Sequence, residues 1–295
     1  MLKRLALVLL LATMAAPAAA QEKLKVVATF SILADFVRNV GGDRVAVDAL
    51  VGPNGDAHVY QPSPGDARTL ADARLVFANG LGFEGWIDRL VKASGTKAPT
   101  VVATKGVKPR KAEDGHGHGE ADPHAWQSVA NARIYVANIR DALSFADPAG
   151  KDSYAANAAA YLGRLDALET DVKAAIEKIP PDRRRIITTH DAFGYFAAAY
   201  GVAFIAPQGV STEAEVSAKD VAKIITQIRK QKIPAVFLEN VTDERLLRRI
   251  GAESGARIGG TLYSDALTDA NGQAATYLDM MRHNVKQLAA ALAGV

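Results

Sequence analysis

The chain has 295 residues, no cysteine and a formal net charge of +3. Without cysteine it can form neither disulfides nor thiolate metal sites, so any transition metal must be held by imidazole and carboxylate. Two of the positive charges are Lys3 and Arg4; without residues 1–20 the net charge is +1 and no basic run remains, which removes the electrostatic basis for nucleic-acid binding.

Residues 1–20 read as a signal peptide. Lys3 and Arg4 open it, Leu5 to Leu11 form an apolar run too short to span a bilayer, and Ala18-Ala19-Ala20 supply a cleavage site. No cysteine follows on which to attach a lipid, so the expected mature protein is free in a bacterial periplasm; it is expected to be a monomer.

The next stretch alternates strands and helices. Strands are predicted at 24–30, 45–51, 75–78 and 100–104, with helices at 32–40, after Ser63-Pro64, and at 84–93. Ser63 stands at a cap position and Pro64 at the first helical one. A loop rich in Gly, His and acids then covers 112–121 and carries His116 and His118; no packed core could use it. It leads into Ala121-Asp122-Pro123-His124-Ala125-Trp126 and a helix at 128–145. Tyr154, Ala158, Tyr161, Leu165, Leu168, Val172, Ala175 and Ile179 then mark an apolar stripe along one helix from Asp152 to Lys178, stopped by Pro180-Pro181. At 1.5 Å per residue it spans about 40 Å. Four heptads keep a coiled coil open as an alternative. The polar face is rich in Asn and Asp rather than paired charges, which favours packing on the chain itself.

A second alternating half follows, with strands at 186–189, 203–206, 235–238 and 257–262 and helices at 192–200, 219–230, 244–254 and 274–291. The expected fold is α/β: two lobes, each a mainly parallel sheet flanked by helices, bridged by one long rigid helix. The expected boundaries are a signal peptide at 1–20, an N-terminal lobe at 21–146 with the His-rich loop, a linking helix at 147–180, and a C-terminal lobe at 181–295.

Of six histidines, His58, His124 and His190 each lie at or just past a strand end or turn beside an aspartate (Asp56, Asp122, Asp191). Asp265 holds the same kind of position after the last strand. In α/β sheets such positions converge on one cleft. Each alone could be a capping or packing residue; their shared context in a chain with so few histidines makes them candidate ligands. His283, in mid-helix, reads as a surface or packing residue and not as a ligand. Three imidazoles and one carboxylate suit Zn²⁺ and disfavour Mg²⁺ and Ca²⁺, without excluding Mn²⁺, Fe²⁺, Cu²⁺ or Ni²⁺. With all four positions filled by protein, no place is left for a reacting water, so the site holds metal rather than turning over substrate. A zinc hydrolase stays as an alternative, with Glu239 as its candidate base, as does a metal-sequestering or adhesive protein.

These residues resemble a known family, the periplasmic metal receptors of ABC importers for zinc, manganese or iron, of the ZnuA and TroA type. The resemblance rests on Asp56-Ala57-His58-Val59-Tyr60-Gln61-Pro62, on Asp122-Pro123-His124-Ala125-Trp126, on Thr189-His190-Asp191-Ala192-Phe193-Gly194-Tyr195-Phe196 and on Gly260-Thr261-Leu262-Tyr263-Ser264-Asp265-Ala266-Leu267. It covers the whole mature chain and implies metal ligation by His58, His124, His190 and Asp265. It also implies delivery to a membrane permease driven by a cytoplasmic ATPase. Manganese and iron receptors of the family tend to carry Glu at the position of His190, so the resemblance favours Zn²⁺ over Mn²⁺. Ala57 stands where the family commonly has Pro, and the His loop is short for a zinc receptor. His116 and His118 are expected to form an auxiliary capture site, loaded from solution or by a periplasmic metal chaperone; the alternative is a solvated spacer.

Overall fold

The computed structural model describes residues 22–111, 121–213 and 215–293. The expected signal peptide and the loop histidines His116 and His118 lie outside the described residues.

The first half is β1 (Leu24–Phe30), α1 (Ser31–Gly41), β2 (Val45–Val51), α2 (Pro64–Asp72), β3 (Leu75–Ala78), α3 (Ile87–Ser94) and β4 (Thr100–Val102). Its strands form one sheet in the order β2-β1-β3-β4, every pair parallel. Val26 to Phe30 are all buried, as a parallel strand covered on both faces requires. Ser63 and Asp66 cap α2 reciprocally, with Pro64 at its first position. The predicted start of α3 at Glu84 moves to Ile87, because the Glu84 carboxylate turns back to accept hydrogen bonds from Thr29 Oγ1 and from the Asn79 and Gly80 amides.

The helices α4 (Val129–Ala146) and α5 (Lys151–Glu177) follow. Of the predicted stripe on α5, Tyr154, Ala158, Tyr161, Leu165, Leu168 and Val172 are buried; in the last turn Ile176 takes the place expected of Ala175, and Ile179 beyond the helix is also buried. The stripe packs on α1 and α4 of the first half. The helix therefore covers its own chain, as its polar face implied.

The second half is β5 (Arg185–Ile187), α6 (Gly194–Tyr200), β6 (Ala203–Ile205), α7 (Ala218–Gln231), β7 (Ala235–Glu239), α8 (Glu244–Ser254), β8 (Arg257–Leu262) and α9 (Tyr277–Leu292). Its sheet runs β6-β5-β7-β8, again all parallel. The helix predicted from Ala274 begins at Tyr277, because Thr276 caps it by accepting the Asp279 amide.

In both sheets the order reverses beside the first strand of its half, β1 or β5. These are the switch points at which α/β sheets place ligands. One apolar core runs from the first sheet through α1, α4 and α5 to α9 and the near face of the second sheet. A smaller cluster between β7, α7 and α8 fills the outer face of the second sheet. Helix α5 touches α1, α4, α6 and α9 and so joins the lobes. Among the described residues no helix is long and apolar enough to cross a membrane.

Candidate metal centre

Four segments, each just beyond a strand or in a turn, carry side chains into the space between the lobes. His58 sits in the loop after β2. Its amide donates to Asp56 Oδ1 at 2.9 Å, and the preceding carbonyl, of buried Ala57, accepts from Trp86 Nε1 at 2.8 Å. Asp56 also reaches across the cleft, where its Oδ2 accepts the hydroxyl of Thr212 at 2.6 Å.

His124 is held by its own turn. Asp122 Oδ1 accepts the His124 amide at 3.0 Å and lies 2.8 Å from its Nδ1. The Pro123 carbonyl between them accepts from Asn79 Nδ2 at 2.9 Å, and Asn79 Oδ1 accepts from Tyr135 at 2.5 Å. The Asp-Pro-His turn is thus pinned to the end of β3 by a buried chain of hydrogen bonds.

His190 lies just past β5, which ends two residues earlier than its apolar run predicts. The amides of Thr189 and His190 turn toward Glu239 Oε1, at 2.6 and 3.0 Å, and Glu239 Oε2 stands 2.5 Å from His190 Nδ1. Asp265 follows β8; the carbonyl of Ser264 before it accepts from Trp126 Nε1 at 2.9 Å and Gln127 Nε2 at 2.7 Å. Asp265 is no helix cap, since α9 starts well beyond it.

The outcome is a compact set of donors. One atom from each of His58, His124, His190 and Asp265 lies within 4.8 Å of the others. His58 Nε2 is 3.3 Å from His124 Nε2 and 3.4 Å from Asp265 Oδ2. Asp265 is 3.5 Å from His124 Nε2 and 3.1 Å from His190 Nε2. A tetrahedron with bonds of 2.0–2.1 Å has edges of about 3.3 Å, so these four separations suit a small divalent cation. His124, His190 and Asp265 are fully buried. Both Asp265 oxygens and His190 Nε2 lack a hydrogen-bond partner among the described residues, as do His190 Nδ1 and Glu239 Oε2, which meet each other only as an ion pair. Buried polar atoms are normally paired, and a cation satisfies the first three together.

Electrostatics point the same way. Burial works to raise the Asp265 carboxyl, but His190 and His124 outweigh it and hold it well below the ordinary carboxylate range. Burial opposes a charge on His190, yet Glu239 and Asp265 hold this imidazole well above its ordinary value. Burial pushes His58 down, partly offset by Asp265. Asp265 is thus held as a carboxylate among three imidazoles. Phe83 packs edge-on to His58 with centroids 4.7 Å apart, and Trp126 lies 5.3 Å from His124. This aromatic wall keeps the dielectric low and the ionic contacts strong.

The structure therefore brings together the four residues singled out in the sequence. His283 is elsewhere, its Nε2 3.0 Å from the Thr261 carbonyl and its ring against Tyr263, a packing role as expected. Glu239, the candidate base of a hydrolase, faces the back of His190 and not the donor cluster. Sequence reasoning missed its partnership with His190; the signal available was an acid ending an apolar strand, Ala235–Glu239. It also missed the Asp56–Thr212 tie. Beside that tie a cleft of about 560 Å³, lined by Asp56, Thr189, Gln208, Thr212 and Thr242 among others, opens from the neighbours of His58 and His190 to solvent.

Residues 26–291 match the family described as zinc-uptake complex component A, periplasmic. The chain is 34% identical over 273 residues to the iron-binding protein YfeA of Yersinia pestis, covering 92% of this chain and 88% of that one. It is 36% identical over 265 residues to the manganese-binding lipoprotein MntA of Halalkalibacterium halodurans, covering 90% and 87%. Among solved structures, the periplasmic zinc-binding protein TroA of Treponema pallidum superposes with a TM-score of 0.87 at 31% identity, over 92% of this chain and 99% of that one. A manganese-bound periplasmic metal-binding protein of Candidatus Liberibacter asiaticus gives a TM-score of 0.83 at 30% identity, over 92% and 100%.

Proposed function

Because the chain belongs to the family of periplasmic zinc-uptake complex component A proteins, we propose that it captures Zn²⁺ outside the cytoplasm and hands it to an ABC permease. The single observation that carries this reading is the convergence of His58, His124, His190 and Asp265 on one buried point. Metal is the cargo here. His58 and His124 come from the first half of the chain, and His190 and Asp265 follow strands of the second sheet, so binding joins the lobes and release separates them. Solute receptors use that difference to tell a permease whether they are loaded. A leader over residues 1–20 would deliver the chain to the periplasm, with residues 21–146 and 181–295 as lobes and 147–180 as the link. The permease and its cytoplasmic ATPase are the partners this role requires.

Zinc is favoured by the donor set, since three imidazoles and one carboxylate match its borderline character. The manganese and iron relatives support a second reading, a receptor for Mn²⁺ or Fe²⁺. A hydrolase is not supported, because Glu239 is turned away from the donors and its oxygens are taken up by His190 and two amides.

The test is to purify the protein without added metal, identify the bound element, and measure Zn²⁺ and Mn²⁺ affinities by chelator competition. The same is done for His190→Ala and Asp265→Ala. Zinc in the purified protein and at least tenfold weaker zinc binding in both variants are expected. Manganese as the sole bound element would replace the zinc reading with the manganese one.

A further inference from the structure

We propose that Glu239 is a positioning residue that selects the nitrogen His190 presents to the metal. The inference rests on the receptor reading above and goes beyond it by giving a role to a residue outside the donor set.

Glu239 ends β7 and is 1% exposed. A carboxylate this deep must be compensated, or it is too costly to keep ionised. Its Oε1 accepts the amides of Thr189 and His190 at 2.6 and 3.0 Å, and its Oε2 lies 2.5 Å from Nδ1 of His190. Every one of these contacts is to the His190 segment. One side chain therefore sets both where that segment turns out of β5 and what its imidazole meets on the side away from the donors.

The chemistry follows from the two ring nitrogens. A neutral imidazole carries one proton, and the other nitrogen has the lone pair that can bind metal. A carboxylate accepts only, so contact with Nδ1 keeps the proton there and leaves Nε2 free. Nε2 is the atom 3.1 Å from Asp265 Oδ2, on the side of the other donors. His124 has a matching arrangement, with Asp122 at its Nδ1 and Nε2 toward Asp265. The two supports differ in origin. Asp122 is two residues from its imidazole in a single turn, whereas Glu239 comes from a neighbouring strand, so His190 depends on the packing of β5 against β7.

Gln at this position separates the roles. Its Oε1 can still accept the two amides, preserving the local turn. Its amide nitrogen is a donor and would face Nδ1, which must then supply the lone pair. The proton moves to Nε2, and His190 ceases to be a ligand while still in place.

The experiment measures Zn²⁺ affinity by chelator competition for wild type, Glu239→Gln, His190→Ala and the double variant. Glu239→Gln is expected to bind 10–100-fold more weakly than wild type. The double variant is expected to bind no more weakly than His190→Ala, because the effect of Glu239 passes through that imidazole. Wild-type affinity in Glu239→Gln overturns the proposal. So does an equal further loss on adding Glu239→Gln to His190→Ala, which would show a general structural role. If Glu239→Gln does not melt cooperatively, long-range ¹⁵N–¹H spectra of the zinc-loaded wild type decide: a proton on His190 Nδ1 supports the proposal, and one on Nε2 overturns it. A wild type that binds no zinc would sink the zinc reading itself, an outcome distinct from failure of Glu239→Gln alone.

Discussion

The hydroxyl oxygen of Ser31, the first residue of α1, accepts the amide of Leu267 at 2.9 Å, and so ties the segment carrying Asp265 to the N-terminal lobe. The Asn54 amide adds a second tie to the Leu267 carbonyl at 2.8 Å. The Tyr277 amide donates to Asp35 Oδ2 at 3.0 Å, and the Tyr277 hydroxyl donates to the Trp126 carbonyl at 2.7 Å. Asp265 follows β8 of the second sheet, and Asn240 and Asn284 hold its segment there, yet the ties to Ser31 and Asn54 anchor the same segment to the first lobe as well. His190, just past β5 and backed by Glu239, rests on the second sheet without comparable ties to the first lobe.

Ser31→Ala should therefore act on both stability and metal binding. It leaves the Leu267 amide buried without its acceptor, at about 1–3 kcal/mol. It also loosens the strap two residues from Asp265. The expected outcome is a metal-free melting temperature lower by several degrees and a measurably weaker zinc affinity. Calorimetry and chelator competition check this; an unchanged affinity would mean that Asp265 is positioned from the second lobe after all.

Metal removal is the broadest test of the donor cluster. A ligand that binds only the folded state stabilises it by about 2.7 kcal/mol at a free concentration a hundred times its dissociation constant. Saturating zinc should raise the melting temperature by several degrees, and a strong chelator should reverse the shift. In Asp265→Ala the zinc-dependent shift should shrink sharply, since the only carboxylate among the four donors is gone. A full shift in that variant would place the metal elsewhere.

A methyl group at Gly194 would sit 2.5 Å from Asp122 Oδ2 and 3.3 Å from Arg110 Nε. Gly194 begins α6 in the second lobe, and Asp122 supports His124 in the first, so the two lobes meet here next to a ligand. Gly194→Ala should push Asp122 off His124 or hold the lobes apart. Either route weakens zinc binding, by about tenfold given the usual effect of disturbing a ligand's support. Metal-free stability should change by less than about 1 kcal/mol, because the strain is relieved by a small opening. Zinc titration and thermal melts separate the two effects.

Much of the fold was readable from pattern. The buried runs of β1 and β7 and the stripe on α5 follow from apolar periodicity, and the cap at Ser63 from local chemistry. Element ends were less readable where side chains override propensity. Glu84 pulls the start of α3 forward, and Glu239 turns the chain out of β5 two residues early. In the site, His58, His124, His190 and Asp265 stood out because each follows a strand or turn. Their supports were harder to see. Asp122 is a sequence neighbour of His124, but Glu239 meets His190 only through the pairing of β5 with β7, which no local signal encodes. Tertiary hydrogen bonds such as Ser31 to Leu267 leave no local trace in either segment.

Asp35 gives a pH prediction away from the donors. It sits in α1 beneath α9 and is 8% exposed. Burial raises its carboxyl above the ordinary value of 3.8, with the Tyr277 amide, Arg38, Arg164 and Asn39 only partly offsetting this. The folded protein thus holds this proton more tightly than the unfolded chain does. Its favourable effect on stability is fully present below the ordinary carboxylate range and is lost as pH rises through the raised value. At pH 7 the ionised group is a net liability. Asp35→Asn keeps an acceptor for the Tyr277 amide and removes the charge, so it should melt higher than wild type at pH 7. The gain should fade as pH falls through the raised value into the ordinary carboxylate range, where wild type regains its proton. Parallel melting curves at pH 7 and in that range provide the check. A variant less stable than wild type at pH 7 would show that the hydrogen bonds to the ionised carboxylate outweigh its burial.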